Sequence, residues 1–110
     1  MTSPEQLNKE INDLWQKHLP LMRSRIETIQ LAVDALRKSR LTQDLRAEAA
    51  REAHNLAGSL GTFGLQSGSD AAAEIEGLLS SRDALSDVEL DRIKQLLERL
   101  SDDADRRLPT

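Results

Sequence analysis

Residues 43–64 read QDLRAEAAREAHNLAGSLGTFG, and this stretch says most about the fold. Leu45, Ala49, Leu56, Leu60 and Phe63 recur on one side of a helix that should begin near Thr42 or Gln43. Gly64 is a natural stop, because glycine takes the left-handed conformation cheaply. His54 falls elsewhere on that helix, on a face it shares with Ala47, Ala50, Arg51, Ala57, Gly58 and Gly61. Leu56 and Leu60 point away from that face, so the imidazole should stand at the surface among small side chains.

The rest of the chain is also helical in pattern. Ser3 can cap a first helix, with Pro4 at its first position and Gln6 where a capping box places it. Leu7, Ile11, Leu14, Trp15, Leu19, Met22, Ile26, Ile29, Val33 and Leu36 then form one stripe. The stripe keeps its phase across Pro20, which predicts one long helix over residues 4–38, kinked where Pro20 cannot donate to the Gln16 carbonyl. Two helices meeting at Pro20 are the alternative. The second helix is expected over 43–63. A third, over 67–80, should start at Ser67 or Ser69 with Asp70 in its first turn, and should bury Ala71, Ala72, Ile75, Leu78 and Leu79. A fourth, over 86–106, opens with the capping box Ser86–Glu89 and should bury Val88, Ile93, Leu96, Leu97, Leu100 and Ala104. Beyond about Arg107 the tail should fray. Short connections make neighbours antiparallel, so the expected fold is all-α: an up-and-down four-helix bundle whose long first helix overhangs or caps the rest. A length of 110 residues suits a single domain.

Composition narrows the function. Aromatic residues make up 2% of the chain and the net charge is -4, a poor basis for stacking on bases or for binding nucleic acid or an anionic membrane. No cysteine is present, which removes thiolate metal sites, disulfides and a cysteine nucleophile. The N-terminus is polar, without the apolar core of a signal peptide, and no apolar run is long enough to cross a bilayer; a cytoplasmic location is the default expectation.

Glycines inside a helix cost roughly 1 kcal/mol each relative to alanine. Gly58 and Gly61 make sense if something large must approach the imidazole. The alternative is that they permit close helix packing and that His54 is an ordinary surface residue.

The run His54-Asn55-Leu56-Ala57-Gly58-Ser59-Leu60-Gly61-Thr62-Phe63-Gly64 resembles the phosphorylation-site motif of histidine phosphotransfer (HPt) domains. In that family the histidine is followed by an apolar residue two places on, a glycine four places on, a serine or other small residue, and a hydrophobic-glycine pair ending the helix. Leu56, Gly58, Ser59, Phe63 and Gly64 fill those places. Ala71-Ala72-Ala73-Glu74-Ile75-Glu76 resembles the helix that packs beside the histidine. The resemblance is tight over about residues 46–80; the flanking helices match in architecture only. Many family members carry a lysine three residues after the histidine, where this chain has Ala57. Arg51, one turn before His54, could supply that charge or be a solvated surface cation.

The resemblance implies that His54 is a phosphoacceptor and the protein a phosphoryl carrier without kinase activity of its own. Glu76 would accept from Nδ1–H and leave Nε2 as nucleophile, although a solvated glutamate would look the same in sequence. Ala47, Ala50, Arg51, Ala57, Gly58, Ser59 and Gly61 would give steric access and a docking face. The implied partners are a response-regulator receiver domain and a sensor histidine kinase or hybrid kinase. No metal or cofactor is expected in this chain, Mg²⁺ coming from the receiver, and a monomer is expected. Three alternatives stand beside it: a helical scaffold or interaction domain, the phosphoacceptor piece of a histidine kinase, and a degenerate module that binds receivers without carrying phosphate. His18, beside Leu19 and Pro20, reads as a packed or half-exposed histidine, the acidic run 101–105 as a solvated face, and Arg106-Arg107 as complements to a helix C-terminus.

Overall fold

The computed structural model describes residues 3–38, 43–81 and 83–106. They form four helices: α1 (Pro4–Arg37), α2 (Gln43–Thr62), α3 (Gln66–Ser80) and α4 (Asp87–Arg106). Each packs on the next, and α4 closes the ring against α1, while the backbones of the diagonal pairs α1–α3 and α2–α4 stay apart. Side-chain pairs give the directions. Arg23 meets Asp105 and Arg37 meets Asp91, so α1 and α4 run antiparallel. Trp15 meets Phe63 while Arg25 meets Glu52, which sets α2 antiparallel to α1. The fold is the all-α up-and-down bundle that the apolar stripes lead one to expect.

Local chemistry explains the helix ends. The Ser3 hydroxyl accepts from the Gln6 amide, and Ser86 and Glu89 close a reciprocal capping box at the start of α4. At the end of α2, Gly64 takes φ 78°, its amide donates to the Gly61 carbonyl, and the Leu65 amide donates to the Leu60 carbonyl. That is the Schellman arrangement, and its sharp turn sends the chain straight into α3.

The core is aliphatic, built from Met22, Ile29, Leu56, Leu60, Ile75, Ile93 and Leu100 around Trp15, whose ring meets Phe63 edge-on with centroids 5.1 Å apart. At about 1.5 Å per residue, the 34 residues of α1 span the long dimension of the molecule, 53 Å. Its first turns project past the bundle, and residues 3–10 are exposed.

α1 continues through Pro20 as the one long helix that its apolar stripe leads one to expect; Pro20 and Gln16 both face solvent, where the carbonyl deprived of its donor can bond water. Three expectations are corrected. α3 starts at Gln66, with Leu65 in the capping position and no side-chain cap. Asp70 therefore lies beyond the first turn, where it accepts from the Gln66 side chain. Val88 is 78% exposed, and Leu90 takes its place in the core, because Leu90 lies three residues before Ile93 and Val88 lies five. Leu7 and Leu14 are 49% and 50% exposed: the buried face of α1 follows Trp15, Met22, Ile26, Ile29 and Val33, and the two leucines drift off its edge. Thr42, Arg107 and the tail beyond it lie outside the described residues.

Candidate functional site

α2 buries Ala49, Ala53, Leu56 and Leu60 and turns its opposite side to water. His54 lies on the open side, next to α3, with 71% of its side chain exposed. Glu76 of α3 comes to meet it: His54 Nδ1 is 2.9 Å from Glu76 Oε2 and 3.2 Å from Oε1. An ionised carboxylate can only accept, so Nδ1 carries the proton and donates. In the neutral ring the lone pair then belongs to Nε2, which has no partner among the described residues. The helix and its neighbour thus choose the tautomer and aim the basic nitrogen at solvent.

The two glycines separate. A Cβ built on Gly58 would have nothing within 4 Å, so its absence widens the open space beside the ring. A Cβ on Gly61 would lie 3.3 Å from the Ser69 hydroxyl, so Gly61 serves the approach of α2 to α3. Of the two readings of these glycines, clearance fits Gly58 and close packing fits Gly61.

The other residues singled out from the sequence are placed as follows. Ala47 is exposed and Ala50 half-buried; both line a shallow depression with Leu79, Ser80 and Ser81 of the α3 end. Ala57 is half-buried, and its carbonyl accepts from the Ser69 hydroxyl at 2.7 Å. Arg51 is exposed and forms no ion pair with another described residue. Ser59 lies on the α1 side of α2, in a groove with Ile11, Leu14, His18 and Phe63. His18 is exposed and leans on Phe63, with ring centroids 5.9 Å apart. In the acidic run Asp102 and Asp105 are exposed, Asp103 is half-buried and Ala104 is buried, and Asp105 pairs with Arg23 at 2.8 Å. Among the described residues, no three His, Asp or Glu side chains gather as a metal site.

One residue escaped the reading of the sequence. Arg46 lies buried at 8% exposure, its guanidinium donating to the carbonyls of Leu79, Leu78 and Ser81. The only sequence signal was its position, one residue after Leu45 and three before Ala49, on the edge of the apolar stripe.

A helical bundle that presents an imidazole with one nitrogen bound to a carboxylate and the other open to an approaching macromolecule belongs to the class of histidine-presenting modules. The family model described as Hpt domain matches residues 13–103, and the chain belongs to that family, the histidine phosphotransfer modules. Protein RcaC of Microchaete diplosiphon is 29% identical over 103 residues, which make up 94% of this chain and 16% of that protein. The chain therefore spans about a sixth of the length of this curated relative. No solved structure matches the chain. No helix among the described residues is long and apolar enough to cross a membrane.

Proposed function

We propose that His54 accepts a phosphoryl group on Nε2 from the aspartyl-phosphate of a receiver domain, or from a histidine kinase, and passes it to a response-regulator receiver. The Nε2 lone pair attacks phosphorus, the bond from phosphorus to the aspartyl oxygen breaks, and its electron pair returns to the departing carboxylate. The ring then carries a phosphoryl group on Nε2 and a proton on Nδ1, with a positive charge that Glu76 is placed to stabilise. Such a transfer asks mainly for alignment and charge neutralisation. The receiver would bring the aspartate, Mg²⁺ and a lysine. Arg51, one turn from His54, is the cation of this chain nearest in sequence that could face the phosphoryl oxygens, in place of the lysine that many relatives have where Ala57 stands. Ala47, Ala50 and Gly58 would form the face that admits the partner. The exchange would take place between a monomer and soluble partners in the cytoplasm, without nucleic acid or membrane, to which a net charge of -4 is unfavourable.

The observation that supports this reading is the open Nε2 on a ring whose Nδ1 is held by Glu76. Its test is incubation with a panel of receiver domains charged by acetyl phosphate, followed by acid treatment. Acid-labile phosphate on the wild type and none on His54→Gln is the expected result. A wild type that binds receivers yet takes no label from any of them would make it a scaffold. Glu76→Ala accepting phosphate at the wild-type rate would remove the role given to Glu76.

A further inference from the structure

We infer that Arg46 is a positioning residue for the His54–Glu76 pair: carried by the histidine helix, it holds the end of the helix that carries the glutamate. The inference rests on the phosphotransfer reading of His54 only for its effect on rate.

The end of α3 is weak on its own. The last carbonyls of a helix have no partner within it and need a cap. α3 lacks the usual ones. Ser81, in the capping position, is extended at φ -62° and ψ 144°, so no left-handed residue turns the chain back. The last turn contains no basic residue. Gly77 follows Glu76 directly, and glycine within a helix lowers its stability by roughly 1 kcal/mol relative to alanine. Glu76 lies four residues before the helix ends, so fraying of that turn would release the backbone from which its carboxylate is aimed.

Arg46 supplies what is missing. Its Nε donates to the Leu79 carbonyl at 2.8 Å, and one terminal nitrogen donates to the carbonyls of Ser81 at 2.5 Å and Leu78 at 3.4 Å. A guanidinium is suited to this, because it is planar, always charged and offers donors in several directions. Its charge also lies at the negative end of the α3 dipole. Arg46 precedes His54 by eight residues on the same helix, about two turns, so both ends of the His54–Glu76 bond belong to one braced unit. Seven residues before Glu76 on α3 lies the other brace, where the Ser69 hydroxyl donates to the Ala57 carbonyl of α2.

The consequence is read at the ring itself. With Arg46 in place, Glu76 keeps the neutral ring of His54 in its Nδ1–H form. In Arg46→Met, which keeps the bulk and removes the donors, the helical signal should persist. Amide exchange over residues 78–81 should accelerate, and the nitrogen NMR signals of His54 at alkaline pH should move towards the Nε2–H form. Acceptance of phosphate from a charged receiver should slow by roughly tenfold, short of the hundredfold that a 1 Å misplacement can cause. Gly77→Ala is the rescue: a Cβ there would meet nothing within 4 Å, and alanine strengthens the turn. Added to Arg46→Met, it should restore much of the Nδ1–H population and of the rate. A folded Arg46→Met with the wild-type tautomer ratio overturns the inference, even if its α3 end exchanges faster. Should Arg46→Met not fold, Arg46→Lys decides by the same signals: a single ammonium cannot span the three carbonyls, so partial loss of the Nδ1–H form is expected and a wild-type ratio overturns it. Because the tautomer is measured without phosphate, a failure of the relay reading leaves this result legible, and the reverse.

Discussion

The α2–α3 and α1–α4 contacts join antiparallel helices of the same bundle by different chemistry. Between α2 and α3, side chains bond backbone: buried Arg46 reaches three carbonyls and half-buried Ser69 reaches one. Between α1 and α4 the polar links are the exposed ion pairs Arg23–Asp105 and Arg37–Asp91, laid over an apolar core. Exposed pairs hold long side chains in water and contribute little. A buried donor on a fixed carbonyl also specifies register, since sliding one helix along the other would leave polar groups unsatisfied. The imidazole and its carboxylate come from the two helices whose relative register is best defined. A two-residue site needs this, because its hydrogen bond is set by how one helix lies against another.

Substitutions can break or sharpen this contrast. The largest effect should come from the open side of α2. Gly58→Leu adds bulk beside His54 at a position where a Cβ would meet nothing within 4 Å. It should reduce phosphate acceptance by more than about tenfold, while thermal unfolding stays at or above the wild type, since leucine is the better helix former. A well-folded Gly58→Leu protein that accepts phosphate normally would show that no partner approaches there.

Gly61→Leu, less than one turn away, tests the opposite property. Its side chain would push against Ser69, so it should lower stability by about 1–3 kcal/mol in denaturant unfolding. If the two glycine variants behaved alike, the division between clearance and close packing would be wrong.

Across α1 and α4, Asp105→Ala removes one exposed pair and should change unfolding stability by no more than about 0.5 kcal/mol, and less at high salt. A larger loss would mean that this contact also sets register.

The smallest effect concerns acid. Two hydrogen bonds from Arg92 join α4 to Glu74 of α3 and hold its carboxyl below the usual glutamate range. A lowered folded value means that the contribution is present above the ordinary glutamate value and is lost as pH falls through the lower, folded one. The stability difference between wild type and Glu74→Gln should therefore be small near neutrality and vanish in acid. A difference that grew on acidification would contradict that sign.

Much of this protein could be read along the chain, because much of it is local. Caps at Ser3 and Ser86 and the stop at Gly64 depend on residues three to five positions apart, and the apolar stripes on a period of 3.6. The same arithmetic put His54 on an open face. The resemblance of residues 46–80 to a known motif pointed to Glu76, which no local rule would select. Where local reading failed, the outcome depended on neighbouring helices. Leu7 and Leu14 belong to the α1 stripe by spacing, but the face that α1 buries follows Trp15, Met22 and Ile26 and leaves both leucines exposed at its edge. Gly58 and Gly61 look equivalent in sequence and differ only because Ser69 stands opposite one of them. Arg46 would pass for a surface charge until α3 ends beside it. The sequence by itself determined which residues become helix and which face of each helix is apolar, since those follow from backbone bonds and side-chain spacing within one segment. Only the tertiary structure decided which carbonyl, hydroxyl or open space each remaining side chain meets, because that depends on the register between helices far apart in the chain.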